Sequence, residues 1–253
     1  MDQTNLSPAE LSRYTRQIVL PGWGREAQER LKSSRVFIAG AGGVASAAAH
    51  YLIAAGLGGI RLADQSRVSL ADLNHQPLYR DQDLDKPRAV VAESRLKEVN
   101  PFAVVESRVK PISGHNITRL TGGCQLLIDT MPQPSGHLLN LAAARLRIPL
   151  LHARVWEMNG HLTTFLPGQG LCLACDSVCL QEEERWSPKA GIMGPLPGIL
   201  GSLLALEAMQ ILGGFRPSLL GRLLTFQGSQ FRLSEKEIKA NPQCSICCRP
   251  LNT

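Results

Sequence analysis

A glycine-rich turn between a buried strand and a small-residue helix constrains this chain more than any other feature. The segment RVFIAG (35–40) is a nearly continuous apolar run, which is typical of a strand inside a parallel sheet. The sequence GAGGVA (40–45) then matches the pattern G-x-G-x-x-G/A at the start of a predicted helix, 44–56. Such glycines permit a tight turn and let a phosphate approach the helix N-terminus. The candidate cofactor-binding residues of this turn are Gly40, Gly42 and Gly43.

An acidic residue beyond the turn supports nucleotide binding. The next predicted strand, GIRLADQ (59–65), places Asp64 near its carboxyl end, about 20 residues after the glycines, where an acid binds ribose hydroxyls. Glycines that serve only helix–strand packing are the alternative, but the turn, the strand and the acid coincide. A nicotinamide-dependent oxidoreductase also suits this pattern, although it explains neither the cysteine pairs described below nor the segment RYTRQ (13–17).

Strand and helix patterns alternate along most of the chain. This alternation indicates an α/β fold with a doubly wound, Rossmann-like, mainly parallel sheet and helices on both faces. Ser7, followed by Pro8, is expected to cap the first helix. We expect helices within 7–34, 85–101 and 135–148, and strands within 103–112, 124–131 and 149–156.

The length of 253 residues suits one large α/β domain. We therefore expect a single domain, 1–253, that begins with N-terminal helices in 1–34. A nucleotide-binding core at 35–156 and a C-terminal part with the cysteine pairs at 157–253 follow.

Six of the seven cysteines fall in two short clusters, CLACDSVC (172–179) and CSICC (244–248). Two C-x-x-C pairs supply four thiolates, which suit a closed tetrahedral Zn²⁺ site with a structural role. The predicted zinc ligands, which tie the C-terminal segment back onto the domain, are Cys172, Cys175, Cys244 and Cys247. Buried free thiols are the alternative. Cys179 is expected to be an ordinary loop cysteine rather than a reactive thiol.

The composition and charge limit the kinds of partner and the cellular location that we expect for this protein. The net charge of +6 suits an acidic partner, but the basic residues are scattered, so we do not expect nucleic-acid binding. The N-terminus lacks the pattern of a signal peptide, and we expect a cytoplasmic protein without a membrane span. The apolar segment 196–213 is interrupted by Glu207 and is expected to be a core or dimer helix.

Several motifs, in order along nearly the whole chain, resemble one protein family. They are RYTRQIVLPGWGREAQERL (13–31), VSLADLNHQPLY (68–79), DKPRAVVAESRLKEVNP (85–101), CLAC (172–175), GIMGPLPGILGSLLALEAMQILGG (191–214) and NPQCSIC (241–247). With the glycine turn, they resemble the ThiF/MoeB/HesA family, the bacterial relatives of ubiquitin-activating enzymes. The resemblance implies a homodimer that uses ATP and Mg²⁺, carries zinc, and adenylates the C-terminal Gly-Gly of a small ubiquitin-like sulfur-carrier protein.

The resemblance also implies roles for charged residues. Adenylation brings a carboxylate to the α-phosphorus, so cations must neutralise the phosphates. Arg16 matches the family arginine that reaches the nucleotide of the opposite subunit, and Asp64 matches the ribose-binding acid. Both of these positions keep the family residue.

The family motif S-N-L-N-R-Q is ADLNHQ (71–76) in this chain. Asp72 stands where the family has asparagine, and His75 stands where it has a phosphate-binding arginine. A neutral imidazole is a poor replacement for a guanidinium. Asn74 and His75 remain candidate cofactor-binding residues.

Two further motifs depart from the family. The motif K-P-K is Lys86-Pro87-Arg88 here, so Arg88 occupies the position of the catalytic lysine and Lys86 is its alternative. In the motif D-x-T-D-N, Pro132 occupies the position of the magnesium-binding aspartate, and Asp129 is the remaining carboxylate. The candidate catalytic residues are therefore Arg16, Lys86, Arg88 and Asp129.

These departures predict impaired adenylation, because each lost charge-assisted contact removes about 2–4 kcal/mol of transition-state stabilisation. The cysteine that some members use for persulfide or thioester chemistry is also missing, and Ser187 lies nearby instead. Two hypotheses follow. The chain is an adenylyltransferase with shifted catalytic residues, or it is a nucleotide- or carrier-binding scaffold that partners an active paralogue.

Overall fold

The computed structural model describes residues 5–131, 135–166, 171–175, 191–239, 241–244 and 246–247, and its centre is an eight-stranded sheet. The strands are β1 (Arg35–Ala39), β2 (Gly59–Ala63), β3 (Val104–Arg108), β4 (Leu126–Asp129), β5 (Leu150–Trp156), β6 (Asn159–Phe165), β7 (Arg222–Gln227) and β8 (Arg232–Glu237). The α-helices are α1 (Pro8–Arg13), α2 (Thr15–Ile18), α3 (Gly24–Ser33), α4 (Gly43–Ala54), α5 (Arg88–Val99), α6 (Ile117–Thr121), α7 (Ser135–Leu146) and α8 (Pro195–Gly213).

The strand order, β3-β2-β1-β4-β5-β6-β7-β8, shows how the chain winds in two directions. From β3 to β5 the neighbouring strands are parallel. The winding reverses between β1 and β4, where Ala39 lies beside Asp129. In sheets of this kind ligands bind outside the carboxyl ends of the strands at the reversal. The predicted doubly wound, mainly parallel fold is confirmed.

The antiparallel strands β6, β7 and β8 extend the sheet beyond β5 and were not predicted from the sequence. A tight turn joins β5 to β6, with Glu157 at a φ of +51°. The edge strand β8 buries almost none of its side chains. Its sequence, RLSEKE, lacks the alternation of apolar and polar residues that signals a half-buried strand, so the sequence alone does not predict it.

Helices cover both faces of the sheet and fix the strands that carry the cavity described below. On one face α4 and α8 pack so closely that a side chain at Gly201 would not fit, since a Cβ added there would lie 2.6 Å from the Val44 carbonyl oxygen. On the other face Phe37 and Leu127 are buried with Leu139 of α7. Full burial of such a side chain contributes about 1.5–3 kcal/mol. The ends of β1 and β4 are thus held by packing on both sides.

The helix α8 is long and apolar enough to cross a membrane by length and composition alone. In this structure Leu200 and Leu204 of α8 are fully buried in the core. The Glu207 carboxylate accepts hydrogen bonds from the Thr164 hydroxyl and the Leu219 N–H, both at 2.9 Å. The helix therefore packs as a core helix, as its sequence predicts.

The N-terminal segment 7–34 forms three helices rather than one continuous helix. The predicted cap is confirmed, since Ser7 and Glu10 form a reciprocal capping box at the start of α1. The break before α3 follows from Gly22 and Gly24, whose φ values of +85° and +66° lie in the left-handed region.

Candidate nucleotide and metal sites

The glycine turn after β1 shows why Gly40 and Gly43 are needed. Gly40 has a φ of +98°, and a Cβ there would lie 2.9 Å from Met131 Cγ. A Cβ at Gly43 would lie 2.6 Å from the His75 carbonyl oxygen. Gly42, the N-cap of α4, has open space where its Cβ would stand. The turn therefore presents the N-terminus of α4 to open space on the side of Gly42, as a phosphate cradle requires.

A cavity of about 290 Å³ lies at the carboxyl ends of β1, β2 and β4, where the winding of the sheet reverses. The N-termini of α5 and α8 also border this cavity. Its lining includes Gly40, Gly42, Gly43, Asp64, His75, Gln76 and Arg88. The structure thus brings together six of the predicted site residues in one cavity.

Asp64 joins the end of β2 to the glycine turn. Its Oδ2 accepts the Ala41 N–H at 2.8 Å, and its Oδ1 accepts the Ser66 N–H at 2.7 Å. Tyr79 holds the same turn from another side, since its hydroxyl donates to the Ala41 carbonyl at 2.6 Å. A carboxylate oxygen has two lone pairs. The Asp64 carboxylate can therefore accept a ribose hydroxyl while it holds the turn.

Arg88 is the first residue of α5 and forms an ion pair with Asp72. Its Nη2 donates to Oδ1 and Oδ2 of Asp72 at 2.7 and 2.6 Å. Asp72 also accepts the Ser69 N–H at 2.7 Å and an amide hydrogen of Gln76 at 2.8 Å. Burial raises the pKa of Asp72, but these hydrogen bonds and the Arg88 charge outweigh it and hold that pKa below its usual value.

The hydrogen bonds around His75 determine which of its ring nitrogens carries the proton. The ionised Asp72 carboxylate can only accept hydrogen bonds, so the Gln76 atom beside it must be the amide nitrogen. This same Gln76 nitrogen lies 3.3 Å from His75 Nε2. Nε2 therefore accepts, and Nδ1 carries the proton that it donates to Asn74 Oδ1 at 2.7 Å. Burial lowers the pKa of His75, which Asp72 opposes in part. The imidazole is neutral at neutral pH.

Four of the predicted catalytic and nucleotide-binding residues do not line the cavity, and the first three are Arg16, Lys86 and Asn74. Arg16 is exposed on α2. Lys86 is also exposed and lies 3.5 Å from Asp83 Oδ1. Asn74 contributes only through His75. Of the cationic side chains in the described residues, Arg88 alone borders this cavity.

Asp129 lies at the end of β4 but is fully buried and does not line the cavity. Its Oδ2 accepts from Arg154 Nη2 at 2.8 Å and lies 3.0 Å from His152 Nδ1. Burial raises the pKa of Asp129, but the Arg154 charge and these hydrogen bonds bring it to about 2. Burial lowers the pKa of His152 to about 4. Pro132 and Ser187 lie outside the described residues.

The four predicted metal ligands meet in one place. The sulfur atoms of Cys172, Cys175, Cys244 and Cys247 all lie within 4.8 Å of one another. The Cys172–Cys244 pair is 3.7 Å apart and the Cys175–Cys247 pair is 3.3 Å apart. A tetrahedral Zn²⁺ with Zn–S bonds of about 2.3 Å separates its sulfur ligands by about 3.8 Å. The donor set and spacing therefore fit one such metal ion, whereas Cys179 and Cys248 lie outside the described residues.

Sequence reasoning missed three residues of these sites. Gln76 is buried in the cavity wall, and its Oε1 accepts no hydrogen bond from the described residues. Arg154 and His152 surround Asp129 from the neighbouring strand β5. A polar or charged residue inside an otherwise apolar run, as in LLHARVW (150–156), is the signal that could have identified the last two.

Comparison with known proteins identifies the family and the fold of this chain. A model of the ThiF family matches residues 14–246. The vegetative HesA protein of Trichormus variabilis is 36 % identical over 245 residues, which cover 96 % of this chain and 91 % of HesA. A sulfur carrier protein adenylyltransferase of Thermus thermophilus is 33 % identical over 246 residues, which cover 94 % of this chain and 91 % of the relative.

A solved structure extends the comparison to the fold. Escherichia coli MccB, crystallised with MccA-N7isoASN, superposes with a TM-score of 0.83 at 19 % identity. The match covers 98 % of this chain and 77 % of MccB. At that identity the likeness concerns the fold alone, whereas the family model spans nearly the whole sequence. The chain belongs to the ThiF family.

Proposed function

We propose that this protein transfers AMP from ATP to the C-terminal Gly-Gly carboxylate of a small ubiquitin-like sulfur carrier. The observation that carries the proposal is the cavity at the reversal of the sheet, where the open side of Gly42 and the Arg88 guanidinium border one space. The similarity to a sulfur carrier protein adenylyltransferase supports the class of reaction.

Each group in the cavity has a role in this reaction. The N–H groups at the start of α4 bind the phosphates, Asp64 binds the ribose, and Arg88 offsets phosphate charge. A carboxylate oxygen of the carrier attacks the α-phosphorus, and the bond from that phosphorus to the pyrophosphate oxygen breaks. The carrier leaves as a mixed anhydride with AMP.

The described residues do not fit a protein-bound Mg²⁺, which needs carboxylate oxygens. Asp64 is the one acidic side chain among the described residues that lines the cavity, and its remaining lone pairs are assigned to the ribose hydroxyls, since each oxygen also accepts a backbone N–H group. Asp129, the alternative ligand, is committed to Arg154 and His152. We therefore assign no step to a metal ion held by these side chains.

The charges in the cavity support slow chemistry. His75 is neutral, so Arg88 is the one cationic side chain among the described residues that lines the cavity. A triphosphate therefore meets less positive charge than the reaction demands. The same observation favours a second candidate function, in which the chain binds the nucleotide or the carrier as a scaffold for an active paralogue.

We also propose a homodimer in which Arg16 completes the cavity of the opposite subunit. Arg16 is exposed and lies outside its own cavity. A groove of about 720 Å³ between α4 and α8 includes Tyr51, Ile199 and Leu203, and Val19, three residues after Arg16 in the sequence, is 70 % exposed. A second copy of the chain would cover this apolar surface.

Mixing two inactive variants tests the shared site. Arg16→Ala and Arg88→Ala would each abolish activity in a homodimer, but a mixed dimer has one cavity with both arginines. Recovery of activity after the two variants are mixed supports the arrangement. An Arg16→Ala variant with the activity of the unmodified protein would contradict it.

We also propose which metal ion the cysteines hold, how the domain is organised and where the protein works. Zn²⁺ is the metal ion that the four cysteines hold, since their donor set matches a closed structural site. The three segments 1–34, 35–156 and 157–253 act as one domain, because β6 to β8 continue the sheet that β1 begins. The protein works in the cytoplasm.

Pyrophosphate exchange tests the proposed reaction. Labelled pyrophosphate should enter ATP when a carrier ending in Gly-Gly is present, and it should not do so with the same carrier truncated before Gly-Gly. Carrier binding without exchange would reject adenylation in favour of the scaffold function.

A further inference from the structure

We propose that Asp72 is a positioning residue that holds the Arg88 guanidinium against the phosphate chain of the nucleotide. The inference rests on the proposed function, since it concerns the same cavity. The family resemblance implies asparagine and lysine at these positions, and sequence reasoning treated the two departures separately. In the structure they are direct partners, with the carboxylate of Asp72 on Nη2 of Arg88.

The geometry leaves part of the guanidinium for a ligand. Only Nη2 of Arg88 contacts Asp72, and neither Nε nor Nη1 has a partner among the described residues. Nε is buried, as is the Nε of Arg95, which lies away from the cavity, so Nη1 on the partly exposed Arg88 side chain is the donor that a ligand can reach. Because Arg88 borders the cavity, a phosphate oxygen is the acceptor that this site lacks.

Asp72 is a rigid anchor rather than a mobile surface acid. It is 5 % exposed and caps the short 3₁₀ turn Leu70–Asp72 together with Ser69. Ser69 donates its N–H at 2.7 Å and its hydroxyl at 2.9 Å, and Gln76 donates at 2.8 Å. The carboxylate therefore keeps its place whether or not a nucleotide is bound.

Arginine and lysine need different surroundings for this task. A guanidinium can bind a carboxylate through one nitrogen and a phosphate through the others, because its donors point in fixed directions. An ammonium is a point charge, and an adjacent aspartate draws it away from a phosphate. An aspartate at position 72 therefore suits an arginine at position 88 and disfavours a lysine there.

The same helix supplies a matched control. Asp83 caps the 3₁₀ turn Asp81–Asp83 and accepts from Arg95 of α5 at 3.2 Å. Neither Asp83 nor Arg95 lines the cavity. Asp83 also lies 3.5 Å from Lys86, which does not line the cavity either. Asp83→Asn therefore removes a cap and ion pairs of the same kind without touching the proposed phosphate contact.

The experiment measures the affinity of the full-length protein for ATP, AMP and adenosine by calorimetry. We expect Asp72→Asn to weaken ATP and AMP binding about tenfold and to leave adenosine binding unchanged, since adenosine has no phosphate. Asp83→Asn should leave all three affinities unchanged. In a protein that carries Arg88→Lys, Asp72→Asn should restore ATP affinity rather than reduce it further.

Several results would overturn the proposal. Unchanged or tighter ATP binding by Asp72→Asn would mean that the carboxylate only neutralises Arg88. Equal weakening of ATP and adenosine would mean that Asp72 only supports the fold. Absence of ATP binding by the unmodified protein would reject this inference and the proposed function together. The predicted binding pattern without pyrophosphate exchange would keep this inference and reject adenylation alone.

Discussion

Two aspartate–arginine pairs lie near the carboxyl ends of the central strands, and they differ in what surrounds them. Arg88, paired with Asp72, borders the cavity, and its side chain is 20 % exposed. Arg154, paired with Asp129, is buried and also donates to the carbonyl groups of Asp129 and Ala153. The first pair is built to take a ligand, whereas the second holds two strands together.

The two pairs therefore predict separable effects of mutation. Removing one partner from a buried ion pair leaves an uncompensated charge, which destabilises the fold. Removing a cation from the edge of a cavity changes ligand binding and rate more than stability. Variants of Arg154 should therefore lose mainly stability, whereas variants of Arg88 should lose mainly ligand affinity and rate.

The largest expected effect is on stability. Arg154→Met should lower the free energy of unfolding by about 3–5 kcal/mol, because it leaves the Asp129 carboxylate buried without its cation. Urea denaturation followed by circular dichroism measures the loss. The double variant Asp129→Asn with Arg154→Met should recover part of it. A single variant as stable as the unmodified protein would show that the pair does not hold the strands.

The largest expected effect on rate comes from the cavity. Arg88→Ala should reduce carrier-dependent pyrophosphate exchange by about 100-fold or more, as for other groups that bind developing charge. Its stability should fall less than that of Arg154→Met, because Asp72 keeps donors from Ser69 and Gln76. Arg95→Ala, on the same helix, is the control and should keep its exchange rate. Unaltered exchange by Arg88→Ala would remove the distinction between the two pairs.

The buried pair also predicts a dependence of stability on pH. The pKa of His152 falls from 6.5 to about 4 on folding, so between those values the unfolded chain binds a proton that the folded protein does not. The free energy of unfolding should therefore decrease as the pH falls from 6.5 to 4. The pKa of Asp129, lowered from 3.8 to about 2, adds stability above pH 3.8 that is lost as the pH falls towards 2.

Denaturation at a series of pH values separates these groups. His152→Gln should flatten the decrease between pH 6.5 and pH 4, whereas the exposed His115→Gln should leave it unchanged. The same slope in the unmodified protein and in His152→Gln would assign the effect to other groups.

The smallest expected effect is a gain. His75→Arg replaces a neutral imidazole in the cavity wall by a cation and should tighten ATP binding about threefold to tenfold. His115→Arg, exposed and outside this cavity, is the control. Weaker ATP binding by His75→Arg would show that charge does not limit this site.

The features that the sequence predicted depend on local constraints. The glycine turn was predictable because Gly40 needs a positive φ and Gly43 has no room for a side chain. The four cysteines were predictable because their spacing suits a single tetrahedral metal ion. Ser7 was predictable as a cap from the residues beside it.

The remaining features depend on contacts between distant segments. The Asp72–Arg88 pair forms between a 3₁₀ turn and the first residue of α5. Neither sequence motif by itself indicates that these two residues are in contact. Asp129 was assigned from its place in a motif, whereas its burial depends on Arg154 in the next strand. The strand β8 depends on pairing with β7, since its own side chains are mostly exposed.

Mass spectrometry of the carrier tests the central claim most directly. The protein is incubated with ATP, Mg²⁺ and a carrier that ends in Gly-Gly, and the intact mass of the carrier is measured at intervals. The account predicts slow appearance of a carrier that has gained AMP, and none with a carrier truncated before Gly-Gly. A carrier that binds the protein at saturating ATP and never gains AMP would contradict it.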